Sequence, residues 1–534
     1  MDAPTRGTNG MVATSHAAAS EVGAAALRRG GSAVDAAIAA NAMLAVCYPH
    51  MCGLGGDAFW LIFDPKNGAV AGLEGAGPAA AQATIEYYQA KGARTDIPAR
   101  GPLAALTVPG AIDSWRLAHE KYGKLEWASL FADAIRAARD GVPKARSLTA
   151  WISGGSADLE SRPGMGEIFC TRGPVKNPAL AATLETIARS GARAFYDGDI
   201  AARICAALGP RGSPLAPTDF ASYRADWIEP ISTGYRGHVF HEMPPPTQGV
   251  APLAIANLLE GFDVAAMSEG SAAHYHHMAE AVKLAYADRD AFVTDPRFED
   301  VPVAAMIDKA YAAKRRALIN PARARADADI APGIAAPRAT RRVPSGDTCY
   351  FCTADRDGMA VSVIQSLYFD FGSAELGGDT GVVMQNRGTF FSLDPDHPNR
   401  LEPGKRTFHT LIPGMLTKGG KPWAVLGSMG GEGQPQTHIA LLTRLVDFGM
   451  NPQAAISAPR FLLGRTWGEA TQAMMIESRV GEDVLRELSR RGHPVARAGA
   501  WEEAMGHAQA IRILNDGSFE GGADPRGDGA AVAA

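Results

Sequence analysis

The residue with the most chemical potential is a threonine, Thr348, in the junction Gly346-Asp347-Thr348-Cys349-Tyr350. A threonine that opens a strand commonly serves only the sheet. Here a proline-bearing segment without apolar periodicity leads into it and a hairpin pattern follows, and that order permits a specific reaction. The hydroxyl attacks the carbonyl of the preceding residue, the resulting ester is hydrolysed, and the freed α-amine becomes the threonine's own general base. An α-amine titrates at about pH 7.7–8.0, so it accepts a proton near neutrality without a histidine. A second candidate is Gly427-Ser428-Met429-Gly430-Gly431-Glu432-Gly433, which follows the apolar run Trp423 to Leu426. Read structurally it is a tight turn. Read functionally its glycines expose backbone N–H groups, the requirement of an oxyanion hole.

Other groupings carry less. Cys349 and Cys352 form a CxxC without a second pair, and on a strand positions i and i+3 face opposite sides, against a metal site. Cys47 and Cys52 read as small buried hydrophobes. His274 and His277 share a helix face with Glu280, but no HExxH is present and ordinary helix packing accounts for them. Cys52-Gly53-Leu54-Gly55-Gly56-Asp57 lacks the Gly-Lys-Ser/Thr ending of a phosphate loop. Lys314-Arg315-Arg316 reads as a solvated face.

The elements that must position these residues are visible in outline. Residues 17–47 read as two Ala-rich helices, the first stopped by Arg28-Arg29-Gly30-Gly31 and the second capped by Ser32. Ala58 to Phe63 is a buried-strand run. Leu103 to Asn320 is mainly helical, with corners such as Pro244-Pro245-Pro246. Residues 319–346 hold Pro321, Pro332, Pro337 and Pro344 among Ala, Arg and Asp, and read as a linker. Cys349 to Ala354 and Met359 to Leu367 are two strands joined by Asp355-Arg356-Asp357-Gly358. The whole chain has 534 residues, Lys+Arg 52 against Asp+Glu 57, a formal charge of -5 and 46% hydrophobic residues. That balance argues against a nucleic-acid or anionic-membrane partner. Six cysteines cannot frame a chain this long with disulfides, and the first ten residues have no apolar core of signal-peptide length, so a cytoplasmic location is expected.

The ordered motifs resemble the γ-glutamyltransferase family over nearly the whole chain. The matching runs are Gly10 to His16, Arg29 to Ala37, Pro49-His50 with Gly53 to Gly56, Met243 to Pro246, Ala285 to Arg289, Asp347-Thr348, Gly427 to Gly431 and Gly522 to Arg526. The resemblance implies an α+β fold, the four-layer αββα sandwich of N-terminal nucleophile hydrolases. It implies self-cleavage between Asp347 and Thr348 into a large chain, 1–347, ending in the Pro-rich linker, and a small chain, 348–534, together forming one domain. It makes Thr348 nucleophile and amine base, gives the oxyanion hole to Gly430 and Gly431, and assigns Ser366 to orienting the threonine. The chemistry calls for no cofactor and no metal.

The departures bear on substrate. Where the family holds a glutamate α-carboxylate with arginine, this sequence has Glu74, and where it holds the α-amine it has Tyr368, Arg387 and Phe390. The two carboxylate-binding serines become His409 and Thr410. An ammonium facing an arginine is disfavoured by charge and desolvation. The replacement runs around Ile364 to Phe369, Gln385 to Gly388, Phe408 to Leu411, Gly431 to Thr437 and Gly464 to Gly468 are similar to oxamate amidohydrolases, and in part to cephalosporin acylases. The expected activity is hydrolysis of the amide of a small anionic acyl substrate through an acyl-enzyme, with Arg387 and His409 as donors; Arg387 could equally serve a structural ion pair. The alternatives are a glutathione hydrolase or transferase, a glutaryl acylase, and a non-catalytic binding protein of the same fold. The expected partners are a small-molecule amide and the two chains of one precursor; the Ala-rich helices permit a homodimer.

Overall fold

Helix formation starts where capping chemistry is strongest. A computed structural model describes residues 3–335, 347–464 and 473–534. Helix Ala17–Arg28 ends as its sequence suggests: Gly30 N–H donates to Leu27 O and Gly31 N–H to Ala26 O, with Gly30 at φ 88°. Helix Ala33–Cys47 begins at Ser32, whose side chain and Asp35 close a reciprocal capping box. All fifteen of its residues are buried. Small side chains let the two helices pack tightly together over one face of a sheet.

That first sheet has seven strands, in the order Ala530–Ala533, Gly10–Thr14, Asp347–Asp355, Ala360–Tyr368, Asp57–Asp64, Ala69–Gly75 and Asp226–Ile228. Every specified pairing within it is antiparallel. A second antiparallel sheet of seven strands runs Thr5–Gly7, Phe519–Ala523, Ala508–Ile513, Lys421–Ser428, Gly414–Lys418, His238–Glu242 and Ile231–Tyr235. The strand alternation sorts side chains into two cores. Phe59, Leu61, Tyr350, Cys352, Ile364, Met415, Val425 and Ile511 fill the space between the sheets. Trp60, Ile62, Cys349, Phe351 and Val363 face the helices on the far side of the first sheet. Phe240, Leu416, Leu426 and Ala510 face helices Val250–Leu259, Ala272–Phe292 and Gln434–Val446 on the far side of the second. Helix, sheet, sheet, helix is the αββα sandwich.

Two regions differ from the pattern read in the sequence. Within the stretch expected to be mainly helical, Asp226–Ile228, Ile231–Tyr235 and His238–Glu242 are strands: Asp226–Ile228 closes one edge of the first sheet, Ile231–Tyr235 one edge of the second, and His238–Glu242 lies next to it. Burial alternates along Ile231–Tyr235 and His238–Glu242, but the buried positions include the polar residues Thr233, His238 and Glu242 while Val239 is exposed, so the hydropathy does not follow it. The first part of the linker is tied down: Ala324 N–H donates to Arg491 O, Arg325 N–H to Glu280, and Gly333 N–H to Asp288. Residues 336–346 of the linker, and the motif residues 465–468, lie outside the described residues.

Two glycines bring the site together. A Cβ on Gly56 would sit 2.3 Å from the carbonyl oxygen of Ser366, so this position must be glycine for the loop to lie against the end of that strand. A Cβ on Gly427 would meet the Tyr350 ring at 2.4 Å, so the second sheet rests on the first two residues beyond Thr348.

Candidate active site

Thr348 stands near the start of strand Asp347–Asp355. The ladder to the neighbouring strand pairs Asp347 with Tyr368 and Cys349 with Gln365, with a register shift between them, which sets Thr348 opposite Ser366 and Leu367. Thr348 is buried, and its hydroxyl has no hydrogen-bond partner among the described residues. A buried, unpaired hydroxyl is costly in a structural role and is the state a nucleophile needs before substrate arrives. The Ser366 hydroxyl accepts from Tyr368 N–H at 2.7 Å and from Arg387 Nη2 at 3.0 Å, and the Thr348 hydroxyl makes no bond to it.

The residues singled out in the sequence converge. Arg387 Nη1 donates to the Thr410 hydroxyl at 3.2 Å. Its guanidinium lies 4.5 Å from the Tyr368 ring centre and 5.7 Å from that of Phe390. Tyr368 and Phe390 are themselves 4.4 Å apart, and Phe408 closes the group edge-on at 5.2 Å from Phe390. Tyr368 is held at φ 87°, a left-handed conformation that a bulky residue adopts only under constraint and that turns its ring toward Arg387. Gly430 at φ 129° and Gly431 at φ 51° shape the turn after strand Lys421–Ser428.

Several members of the site carry no functional role in the sequence reading. Asp57 accepts from Gly77 N–H, Gly110 N–H and Gln385 Nε2 at 3.0–3.2 Å, and His409 Nε2 donates to its other oxygen at 3.2 Å. Asp57 also pairs with Ser366 in the sheet. Burial pushes the Asp57 carboxyl up to about 6, against the pull of Arg387 and its donors. Burial, reinforced by Arg387, holds His409 well below the ordinary imidazole range, so its ring is neutral and Nε2 carries the proton it donates. Gln248 and Arg289 form a further bridge beside the glycine turn. The signal for all four was adjacency to a matched motif: Asp57 follows Gly55-Gly56, Gln385 is two residues before Arg387, Gln248 follows the Pro triplet, and Arg289 ends Ala285 to Arg289.

Arg387 has no carboxylate within 4 Å among the described residues, and its buried Nε has no partner, so the structural ion pair open in the sequence does not form. Burial brings its pKa down to about 10, with Asp57 and Tyr368 working in the opposite direction. Glu74, by contrast, is neutralised: Arg406 Nη1 donates to it at 2.9 Å, and burial still pushes its carboxyl up to about 7. The histidines of helix Ala272–Phe292 are packing groups. His274 meets the Thr443 hydroxyl, His276 meets His493, and His277 bonds the Ala273 carbonyl. Cys349 and Cys352 face opposite sides of their strand. Among the described residues no helix is long and apolar enough to cross a membrane.

The Asp57 environment makes a pH-dependent prediction. Because the folded carboxyl titrates above its ordinary value of 3.8, the native state holds the proton more tightly than the unfolded chain. This group therefore favours folding below about pH 4, and that advantage is lost as pH rises through about 6. Between pH 4 and pH 7, wild type should lose up to roughly 3 kcal/mol relative to Asp57→Asn, measured by urea unfolding of both proteins. A stability difference that does not change with pH would refute it.

Two stacked antiparallel sheets with a threonine opening an inner strand beside a glycine turn define the N-terminal nucleophile class of hydrolases. A sequence profile of the Gamma-glutamyltranspeptidase family matches residues 19–534. The chain is 44% identical over 533 residues to the glutathione hydrolase-like YwrD proenzyme of Bacillus subtilis (strain 168), covering 98% of each. It is 39% identical over 538 residues to the oxamate amidohydrolase proenzyme of Klebsiella pneumoniae subsp. pneumoniae, again covering 98% of each. The crystal structure of cephalosporin acylase from Bacillus halodurans superposes with a TM-score of 0.88 at 36% identity, over 100% of this chain and 97% of that one. This chain belongs to the γ-glutamyltranspeptidase family, and it is an enzyme, an N-terminal threonine hydrolase.

Proposed function

We propose that the protein matures by cleavage between Asp347 and Thr348 into chains 1–347 and 348–534, and then hydrolyses the amide of a small anionic acyl compound of oxamate type. The single observation that carries the substrate choice is Arg387: a buried guanidinium with no ion-pair partner and an unpaired Nε among the described residues is matched by a carboxylate that arrives with the substrate. A substrate ammonium beside it would be repelled, which disfavours a glutamyl head.

In this reaction the Thr348 hydroxyl attacks the amide carbonyl while its α-amine takes the proton. The carbonyl oxygen, now negative, is met by the N–H groups of Gly430 and Gly431. The tetrahedral intermediate collapses, the C–N bond breaks, and the amine delivers the proton to the leaving nitrogen, which departs as ammonia or an amine. Water then attacks the ester, giving its proton to the same amine and regenerating the hydroxyl. Arg387 and Thr410 hold the acyl anion beside the packed rings of Tyr368 and Phe390, and His409, fixed by Asp57, lines the wall behind it.

The relatives support a second reading at the level of chain length. The likeness to a cephalosporin acylase favours a glutaryl rather than a two-carbon acyl group. Ammonia release from oxamate, compared with hydrolysis of a glutaryl amide and of γ-glutamyl-p-nitroanilide, decides between them. The expected ranking in kcat/KM puts an amine-free anionic acyl compound first. Preference for the γ-glutamyl compound would overturn the substrate assignment.

A further inference from the structure

We infer that Gln248 of the large chain is a positioning residue for the oxyanion-binding glycines of the small chain, with Arg289 holding it in place. This rests on the acyl-transfer reading above.

The side-chain amide of Gln248 is fully used. Nε2 donates one hydrogen to the Gly431 carbonyl at 2.9 Å and the other to the Thr410 carbonyl at 2.8 Å, and Oε1 accepts from Arg289 Nη1 at 2.8 Å. Its backbone N–H donates to His409 O at 3.0 Å. One residue thus joins the strip that carries His409 and Thr410 to the glycine turn. Arg289 is itself immobilised, with Nε on Asp290 at 2.7 Å and the guanidinium 3.7 Å from the Tyr286 ring centre. The Tyr286 hydroxyl donates to the carbonyl of Glu432, the next residue of the turn.

Peptide planarity turns these bonds into a constraint on the catalytic N–H. In a trans peptide the N–H points opposite to the C=O of the same unit. The unit between Gly430 and Gly431 is pinned because Gly433 N–H donates to Gly430 O at 2.7 Å. The next unit, between Gly431 and Glu432, is pinned by Gln248. Gly431 has two soft dihedrals, no side chain to restrict them, and a φ of 51°. The Gly431 N–H belongs to the first of these units, and Gln248, by holding the second, restrains ψ of Gly431 and keeps the first from swinging about that Cα. A donor that is displaced by a fraction of an ångström loses most of its transition-state stabilisation, so the effect of Gln248 falls on kcat.

Gln248→Glu keeps the shape but points a carboxylate oxygen at two carbonyls, and Gln248→Leu removes all three bonds. In the processed enzymes, both are expected to lower kcat by about 10²-fold on whichever acyl compound wild type hydrolyses, with KM changed less than about threefold. Arg289→Met should reproduce the loss, and the double variant Gln248→Leu/Arg289→Met should lose no more than either alone. A crystal structure of Gln248→Leu should show the Gly431 peptide rotated. A kcat within threefold of wild type, a loss carried by KM, or a 430–433 turn superposing within about 0.5 Å on wild type would each overturn the inference. If wild type hydrolyses none of the acyl compounds, the functional reading fails, and the crystal comparison still decides this one.

Discussion

Thr348→Ala is expected to remain a single polypeptide of 56.0 kDa after prolonged incubation, while wild type should resolve into two chains on denaturing gels and in intact-mass spectra. The substitution removes the hydroxyl proposed to attack the Asp347 carbonyl, and it prevents the α-amine from being freed. Both the nucleophile and its base are lost together, so amidase activity falls by about 10⁴-fold or more. Thr348→Ser retains a hydroxyl with greater rotational freedom, because it lacks the methyl group that restricts χ1, and should mature and turn over more slowly. The fold is indifferent to the change, since the threonine hydroxyl bonds to nothing in the described structure. Equal thermal midpoints for wild-type precursor and Thr348→Ala would follow. Cleavage of Thr348→Ala at the same rate as wild type would dismiss Thr348 as the nucleophile.

Arg387→Met separates function from stability in opposite directions. If Arg387 is the anchor for an acyl carboxylate, its loss costs about 3 kcal/mol in transition-state binding, or on the order of 10²-fold in kcat/KM. The same change takes a desolvated guanidinium, without an ion-pair partner among the described residues, out of the interior and replaces it with an apolar chain of similar length. Such exchanges are neutral or stabilising. The aromatic wall of Tyr368, Phe390 and Phe408 offers methionine a compatible surface. The expected result is therefore a folded enzyme with an unchanged or higher melting temperature and little activity on anionic acyl compounds. Arg387→Lys keeps the charge but not the fork, and should fall between the two. A large drop in melting temperature for Arg387→Met would mark the arginine as structural. Full activity would remove it from the substrate site.

The site is polar on one side and aromatic on the other. Thr348, Ser366 and Arg387 reach the same point from three segments, and Asp57 sits behind them with His409. Asp57 attracts Arg387 without touching it as an ion pair, which leaves the guanidinium oriented yet chemically unsatisfied. A direct salt bridge would have neutralised the anchor. The pairing that did form, Glu74 with Arg406, shows the contrast: there the charge is matched within the protein and nothing remains for a ligand.

Much of the local structure was legible because its causes lie within a few residues. The Gly30-Gly31 stop, the Ser32–Asp35 cap and the hairpin around Asp355 to Gly358 depend on neighbouring backbone groups, and each formed where the residues indicated. The three strands between Asp226 and Glu242 were hidden because several of their buried positions hold polar residues, Thr233, His238 and Glu242, while Val239 is exposed, so the apolar pattern does not report the strand. By itself the sequence determined the family, through ordered motifs spread from Gly10 to Arg526, and it marked Thr348, Arg387, His409 and the glycine turn as candidates. Only the tertiary structure decided which side chains these residues meet. Asp57 and His409 are separated by 352 positions, and Gln248 and Gly431 by 183. Whether Arg387 would find a carboxylate partner or remain without one depended on which side chains the two sheets carried to the same buried point. That is a property of packing and desolvation over long chain separations, and no local pattern encodes it.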